Sequence, residues 1–326
     1  MKAVAAPDYG PPETYVVADV PVPVAGAGQI QVRIAAASIN PADVRLPSGA
    51  YRDVAPLVFP HVVGNDFAGT VTAVGPGVSA YRVGDEVFGQ SVPRALRAMV
   101  GSTRPSLGTG SLAEYAVFEA DTPLITHRPA ALAVDDAAAV PTVGLTVLAL
   151  LGAAAVRPGE TVLVVGATGG VGTALIPLLA AAGARVVATA TPADAALLRS
   201  LGADTTIGYA ETGYPSGVDL AVNLTRPGDD LHPIAGAVRT GGRLLTITEP
   251  VAETLRHDLD ARFVLDLDAT FGGMREVADL VVSGALPVTI GRRYDLDGGP
   301  RACVDFARRH TTGKLVVSIF RTAPHA

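Results

Sequence analysis

Apolar and polar positions change their rhythm once along this chain. Up to about residue 120 the apolar runs are short and broken by glycine and proline, and 31–35, 67–74, 86–88 and 113–118 read as strands. Gly75-Pro76-Gly77 and Gly84-Asp85 are tight-turn signals that close antiparallel neighbours, so an irregular antiparallel barrel is the expected first domain. Near Asp135, Ala- and Leu-rich helical runs begin to alternate with Val-rich strands, the pattern of parallel βαβ units. Strands are predicted at 161–165, 185–188, 205–207, 220–223 and 243–248, and helices at 171–182, 193–201 and 233–238. The right-handed preference of such crossovers makes this a doubly wound parallel sheet, extended by a strand at 262–266. The tail is mixed, with helices at 274–283 and 301–309 and strands at 288–294 and 315–320, and its expected place is against the first domain. The fold class is α/β, with one domain at 1–120 and 269–326 and another at 121–268.

Composition agrees with two cores: 326 residues at roughly 150 per domain is about two. Lys+Arg 25 against Asp+Glu 31 gives a net charge of -6, which offers no general attraction to nucleic acid or anionic lipid. The single cysteine, Cys303, excludes an intramolecular disulfide and a Cys-rich zinc site. Pro7, Asp8, Pro11, Pro12 and Glu13 interrupt any signal-peptide apolar region, so the expected location is cytoplasmic. Two uncharged stretches, 137–156 and 161–184, are long enough to raise a membrane question. Proline, threonine and glycine inside both answer it in favour of globular α/β structure.

The sharpest local signal is Gly166-x-x-Gly169-x-x-Gly172, set between an apolar strand and a helix. Such a turn points bare N–H groups and the positive end of a helix dipole at a pyrophosphate, and glycines let its oxygens approach the backbone. Gly166, Thr168, Gly169, Gly170, Val171 and Gly172 are therefore candidate cofactor-binding residues. At the end of the second strand, Ala188-Thr189-Ala190-Thr191 lacks the acid that marks NAD-specific sites, which argues for NADP(H), with Thr189 facing the site. Tyr209 could donate to a 2′-phosphate. Asp194 reads as a first-turn helix charge facing water.

Further stretches carry a resemblance: SINPADVRLPSGAY (38–51), PHVVGNDFAGTVTAVGPGVSAYRVGDEVFG (60–89), GSLAEYAV (110–117), AAAVPTVGLTVLALL (137–151), LGADTTIGY (201–209) and HTTGKLVV (310–317). Nearly end to end, the chain resembles the medium-chain dehydrogenase/reductase superfamily, specifically its zinc-free quinone oxidoreductase, zeta-crystallin-like branch. The resemblance implies a GroES-like catalytic barrel, a Rossmann domain and a cleft between them where nicotinamide meets substrate. It places Asn40, Asp43 and Tyr51 in the substrate pocket and Thr146 and Lys314 near the nicotinamide. Zinc members carry Cys at the position of Asn40 and Gly-His-Glu at Gly64-Asn65-Asp66, so no metal is expected; the six histidines form no HExxH pair.

Asn40 and Tyr51 can donate to a developing oxyanion, and Arg45 more strongly. Asp43, beside Pro41, is equally well read as a helix-cap carboxylate, and His61 as structural. The implied reaction is NADPH-dependent hydride transfer to a small conjugated carbonyl, a quinone or an α,β-unsaturated compound. Alternatives are an enoyl-thioester or polyketide-type reductase and a low-turnover NADPH sensor. A homodimer is implied, with 262–266 as the pairing edge. Three features depart from the family pattern: Arg45 where an aromatic is common, Pro177 inside the helix after the glycine turn, and a long Arg-bearing loop at 91–109, read as a lid or a mobile excursion.

Overall fold

The computed structural model describes residues 1–209, 213–252 and 254–320. The chain divides into two compact units: Met1–Thr142 with Leu267–Val282 and the segment from Ile290 onward, and Val143–Asp266 with Ser283–Thr289. In the first unit β1 (Lys2–Ala6), β2 (Val16–Asp19) and β3 (Gln29–Ser38) lead to a short helix, α1 (Pro41–Arg45). Then come β4 (His61–Val62), β5 (Asp66–Val74), β6 (Glu86–Gln90), β7 (Val92–Pro93), β8 (Leu107–Gly108), β9 (Tyr115–Glu119), β10 (Ile125–His127) and α2 (Val134–Ala139). The boundary lies beyond the expected residue 120, because β10 still pairs with β6 and α2 still packs on β3 and β5.

Seven strands run in the order β10-β6-β5-β3-β9-β8-β7. The long strand β3 is their hinge piece: it pairs with β5 along one edge, and on the other with β9 over 29–33. Ile30, Val32 and Ile34 of β3 are fully buried with Phe67, Val71, Val87 and Phe118, and the Phe67 and Phe118 rings stack 3.8 Å apart at 7°. Burying each such side chain contributes about 1.5–3 kcal/mol. Cys303 lies in the same core, where burial pushes its thiol far up, so it is no nucleophile at neutral pH.

The 91–109 segment is tied down to its own unit. Its backbone closes through Val92 N–H to Ser106 O at 2.7 Å, and Arg94 and Arg97 both pair with Glu119 while Arg104 pairs with Asp121.

The second unit follows helix α3 (Pro141–Ala154) with β11 (Thr161–Val165), α4 (Gly170–Ala181), β12 (Arg185–Thr189), α5 (Ala195–Ser200), β13 (Thr205–Ile207), β14 (Val218–Asn223), α6 (Leu231–Ala237), β15 (Val238–Thr246) and β16 (Asp260–Phe263). All its strand pairs are parallel, in the order β13-β12-β11-β14-β15-β16. Numbered from β11, this is 3-2-1-4-5-6, the doubly wound order whose ligand crevice opens at the carboxyl ends of strands 1 and 4. Helix α4 runs through Pro177 without a break: one backbone bond is lost, while Leu175, Ile176 and Leu179 around it stay buried.

The chain returns to the first unit with α7 (Met274–Val282), β17 (Ile290–Asp295), α8 (Gly299–Arg308) and β18 (Lys314–Ser318). β18 takes the part of β3 that β9 leaves, pairing antiparallel with residues 36–38, and β17 adds beside it.

Candidate active site

In the first unit, the end of β3, the start of β5 and β18 bring a polar cluster into a buried place. Ser38 stands opposite Asp66 in the sheet. Asp66 is fully buried, and its carboxylate accepts from Ser38 Oγ at 3.2 Å, Thr142 N–H at 3.2 Å and Thr142 Oγ1 at 2.5 Å. Lys314, 7% exposed, donates to Ile39 O at 2.8 Å and Asn40 Oδ1 at 2.6 Å, and reaches Asp66 Oδ2 at 3.4 Å. An ammonium has three donors, so the three acceptors use all of them. Burial pulls the Lys314 ammonium down from its ordinary value, and the charges of Asp66 and Asp43 oppose that.

Asn40 and Asp43 are N-cap and N3 of α1, a capping box with Pro41 at N1. Asp43 is buried; its two oxygens accept Asn40 N–H at 2.7 Å and Gly64 N–H at 3.0 Å. The cap reading of Asp43 holds. Gly64 has φ +111, and a Cβ there would meet Leu112 N at 2.5 Å, so only glycine allows this approach. Tyr51 and Arg45 are half-buried, with the Arg45 guanidinium 5.7 Å from the Tyr51 ring centre. His61 is half-buried, and burial pushes it down to about 4.

Burial pushes the Asp43 carboxyl up to about 7, helped by the Asp66 charge and opposed by its two N–H donors and Lys314. The folded protein therefore holds this proton more tightly than the unfolded chain, where an Asp titrates near 4. Stability from this group is complete below pH 4 and is lost as pH rises through 7, by at most about 4 kcal/mol. Melting curves from pH 5 to 8 should fall more steeply for the parent than for Asp43→Asn; equal slopes would refute the assignment.

In the second unit the glycine turn forms as the spacing requires. Gly166 has φ +87, Gly169 is the N-cap of α4, and a Cβ on Gly172 would lie 2.4 Å from Ala167 O. A Cβ on Gly169 would meet only Gly166 O, at 3.6 Å, so the space beside the turn is open. Gly166 N–H donates to Thr189 Oγ1 at 2.9 Å, and Thr168 Oγ1 lies 2.9 Å from the Tyr209 hydroxyl. Gly170 and Val171 open the helix half-buried, and Thr146 is half-buried on α3. These features fit a dinucleotide phosphate: glycine backbone, a helix start and a cradle that a side chain would fill.

Asp194 corrects its expected place. It does not face water: it is 8% exposed and takes a hydrogen bond from Thr191 Oγ1, because the 191–194 turn closes through Asp194 N–H to Thr191 O at 3.1 Å. Asn223, passed over in the sequence, ends β14 beside the crevice fully buried. Its Nδ2 donates to Arg226 O and Thr246 Oγ1 at 2.9 Å, and its Oδ1 accepts the N–H of Arg226 at 2.9 Å. The signal was an Asn closing the apolar run Leu220-Ala221-Val222. Thr142 was missed as well, since its partner Asp66 is 76 positions away.

Zinc does not suit the first unit's cluster. The oxygens a metal would need, Asn40 Oδ1 and Asp66 Oδ2, already face the Lys314 ammonium.

Comparison with known proteins bears on both units. Residues 26–129 match the alcohol dehydrogenase GroES-like domain, and residues 201–317 the zinc-binding dehydrogenase family. A chloroplastic quinone-oxidoreductase, QR1, of Triphysaria versicolor is 29% identical over 321 residues, covering 92% of each chain. The 2-methylene-furan-3-one reductase of Solanum lycopersicum is 32% identical over 258 residues, 77% of this chain and 63% of that protein. A mycobacterial protein solved in complex with NADPH superposes with a TM-score of 0.82 at 28% identity, covering 98% of this chain and 99% of its own. A GroES-like unit joined to a doubly wound parallel unit with a glycine turn at the start of its first helix is the fold of the nicotinamide-dependent oxidoreductases. The chain belongs to the medium-chain dehydrogenase/reductase superfamily and is similar to its quinone oxidoreductases. No helix among the described residues is long and apolar enough to cross a membrane.

Proposed function

We propose that this protein is an NADPH-dependent, zinc-independent reductase of quinones or α,β-unsaturated carbonyl compounds. The observation that carries the reading is a buried site furnished with hydrogen-bond donors, Asn40 foremost, in which an ammonium holds the oxygens a metal would need. Bound NADPH would supply the hydride. Gly166, Thr168, Gly169, Gly170, Val171 and Gly172 would hold its pyrophosphate, with Thr189 and Tyr209 beside the adenosine ribose and Thr146 toward the nicotinamide. The lack of an acid at 188–191 and the NADPH-bound relative support NADP over NAD. The inward Asp194 carboxylate and a 29% identical solved structure, an NAD-dependent alcohol dehydrogenase, weigh against it, so the NADPH-to-NADH ratio is the part of the reading the assay tests.

Negative charge grows on the acceptor's carbonyl oxygen as hydride arrives, and donors already aimed at that oxygen lower the barrier without reorganising. Asn40 Nδ2 and the Tyr51 hydroxyl are those donors. Arg45, beside the Tyr51 ring, adds positive charge and favours oxygen-rich or anionic acceptors. Asp43 fixes the turn that carries Asn40. A homodimer through the edge strand β16 completes the reading.

The deciding experiment is oxidation of NADPH and NADH by purified protein against 1,4-benzoquinone, 9,10-phenanthrenequinone, a short 2-alkenal and crotonyl-coenzyme A. Turnover of a quinone or alkenal with NADPH, at least tenfold above NADH, is expected. Turnover confined to crotonyl-coenzyme A would favour the thioester reading. Arg94, Arg97 and Arg104 pair with Glu119 and Asp121, which weakens the loop's part in that reading, while 31% identity to a mycobacterial polyketide synthase over 92% of this chain keeps it as the second reading. No turnover with tight NADPH binding would point to a sensor.

A further inference from the structure

Lys314 reaches the site from the far end of the chain. β18 pairs with the last residues of β3, and Ile39 N–H donates to Leu315 O at 3.0 Å, which sets Lys314 against the turn that holds Asn40. An ammonium donates and never accepts. The Asn40 atom 2.6 Å from Nζ is therefore the carbonyl oxygen, and the carboxamide faces one way only. Turned by 180°, it would press N–H against N–H. Its Nδ2 then points away from Lys314 and makes one long contact, 3.4 Å to Ser38 O.

We infer that Lys314 is a positioning residue: by holding Asn40 Oδ1 it presents the amide N–H to the oxygen of a conjugated carbonyl acceptor. The inference deepens the proposed function and rests on Asn40 as the substrate's donor. The ammonium also polarises the carboxamide it binds, which strengthens the outward N–H as a donor. Without Lys314 the amide is held only by the cap on α1 and the long Ser38 contact, so the flipped orientation, which turns an oxygen toward the substrate's oxygen, becomes more accessible.

A double-mutant cycle tests this, with Asn40→Ala, Lys314→Met and the pair assayed on whichever acceptor the parent reduces. Each single variant should lower kcat tenfold or more and leave KM for NADPH within twofold. The pair should be no more than about twofold slower than Asn40→Ala, since Lys314 has no carboxamide left to orient. Losses that multiply in the pair, or parent-like kcat in Lys314→Met, would overturn the positioning role while leaving Asn40 in place. Parent-like kcat in Asn40→Ala would remove the pocket reading itself. Lys314→Met also strands the Asp66 carboxylate, so if it fails to fold, the same comparison is run with and without Asn40→Ala in an Asp66→Leu/Lys314→Met protein. There, an Asn40→Ala loss as large as in the parent would overturn the inference.

Discussion

Gly169→Ala is expected to leave the melting temperature within about 2 °C of the parent, while raising the dissociation constant for NADPH tenfold or more. Its backbone angles, φ -70 and ψ 174, are open to any residue, and the added methyl enters empty space with Gly166 O at 3.6 Å as its nearest neighbour. That space is where a pyrophosphate would approach the backbone, so the methyl displaces ligand and not protein. Gly172→Ala, three residues on, should behave in the opposite order. Its methyl would sit 2.4–2.6 Å from the Ala167 backbone, which must move, at a cost of about 1–3 kcal/mol. Thermal melts and dinucleotide titrations of the two variants separate a ligand-facing glycine from a packing glycine. If Gly169→Ala binds NADPH as the parent does, the turn is not the phosphate cradle.

The largest stability loss is expected at Asp66. Asp66→Ala leaves the Lys314 ammonium buried with only neutral acceptors, and deprives Ser38 and both donors of Thr142 of their partner. Breaking a buried pair on one side costs about 3–5 kcal/mol, whereas replacing both partners by apolar residues of similar volume is often close to neutral. Asp66→Leu/Lys314→Met should therefore recover most of the loss. Urea unfolding followed by tyrosine fluorescence suits the test, because the chain has no tryptophan and Tyr9, Tyr15, Tyr51, Tyr81, Tyr115 and Tyr294 all belong to the first unit. A double variant no more stable than Asp66→Ala would show that the ion pair is not what holds this site.

Local chemistry was readable in the sequence, and distant pairing was not. The glycine turn and the strand and helix around it are consecutive, so their spacing alone placed them, and β11 and β13 fall on the predicted residues. β1, with the sequence KAVAA, has few β-branched side chains and gave no strand signal. Asn40 was a pocket candidate through resemblance, and its contact with Lys314 spans 274 positions. Nothing in the pattern around Lys314 marks it as a partner of Asn40; the pairing of β18 with β3 brings the two together. Asp194 was misread for the same kind of reason, since a turn closed by Thr191 folds its carboxylate inward.

The split course of the first unit has a consequence for its birth on the ribosome. Asp66 and Lys314 are separated by 248 positions. At about 5–20 residues per second of synthesis, the carboxylate precedes its cation by roughly 12–50 s. During that interval the nascent barrel lacks β18, its residues 36–38 have no partner on that edge, and Asp66 has no reason to leave water. The second unit, apart from the short Ser283–Thr289 segment, is by then complete. The order of emergence thus lets the doubly wound unit mature first, with the barrel closing only once β18 has followed it.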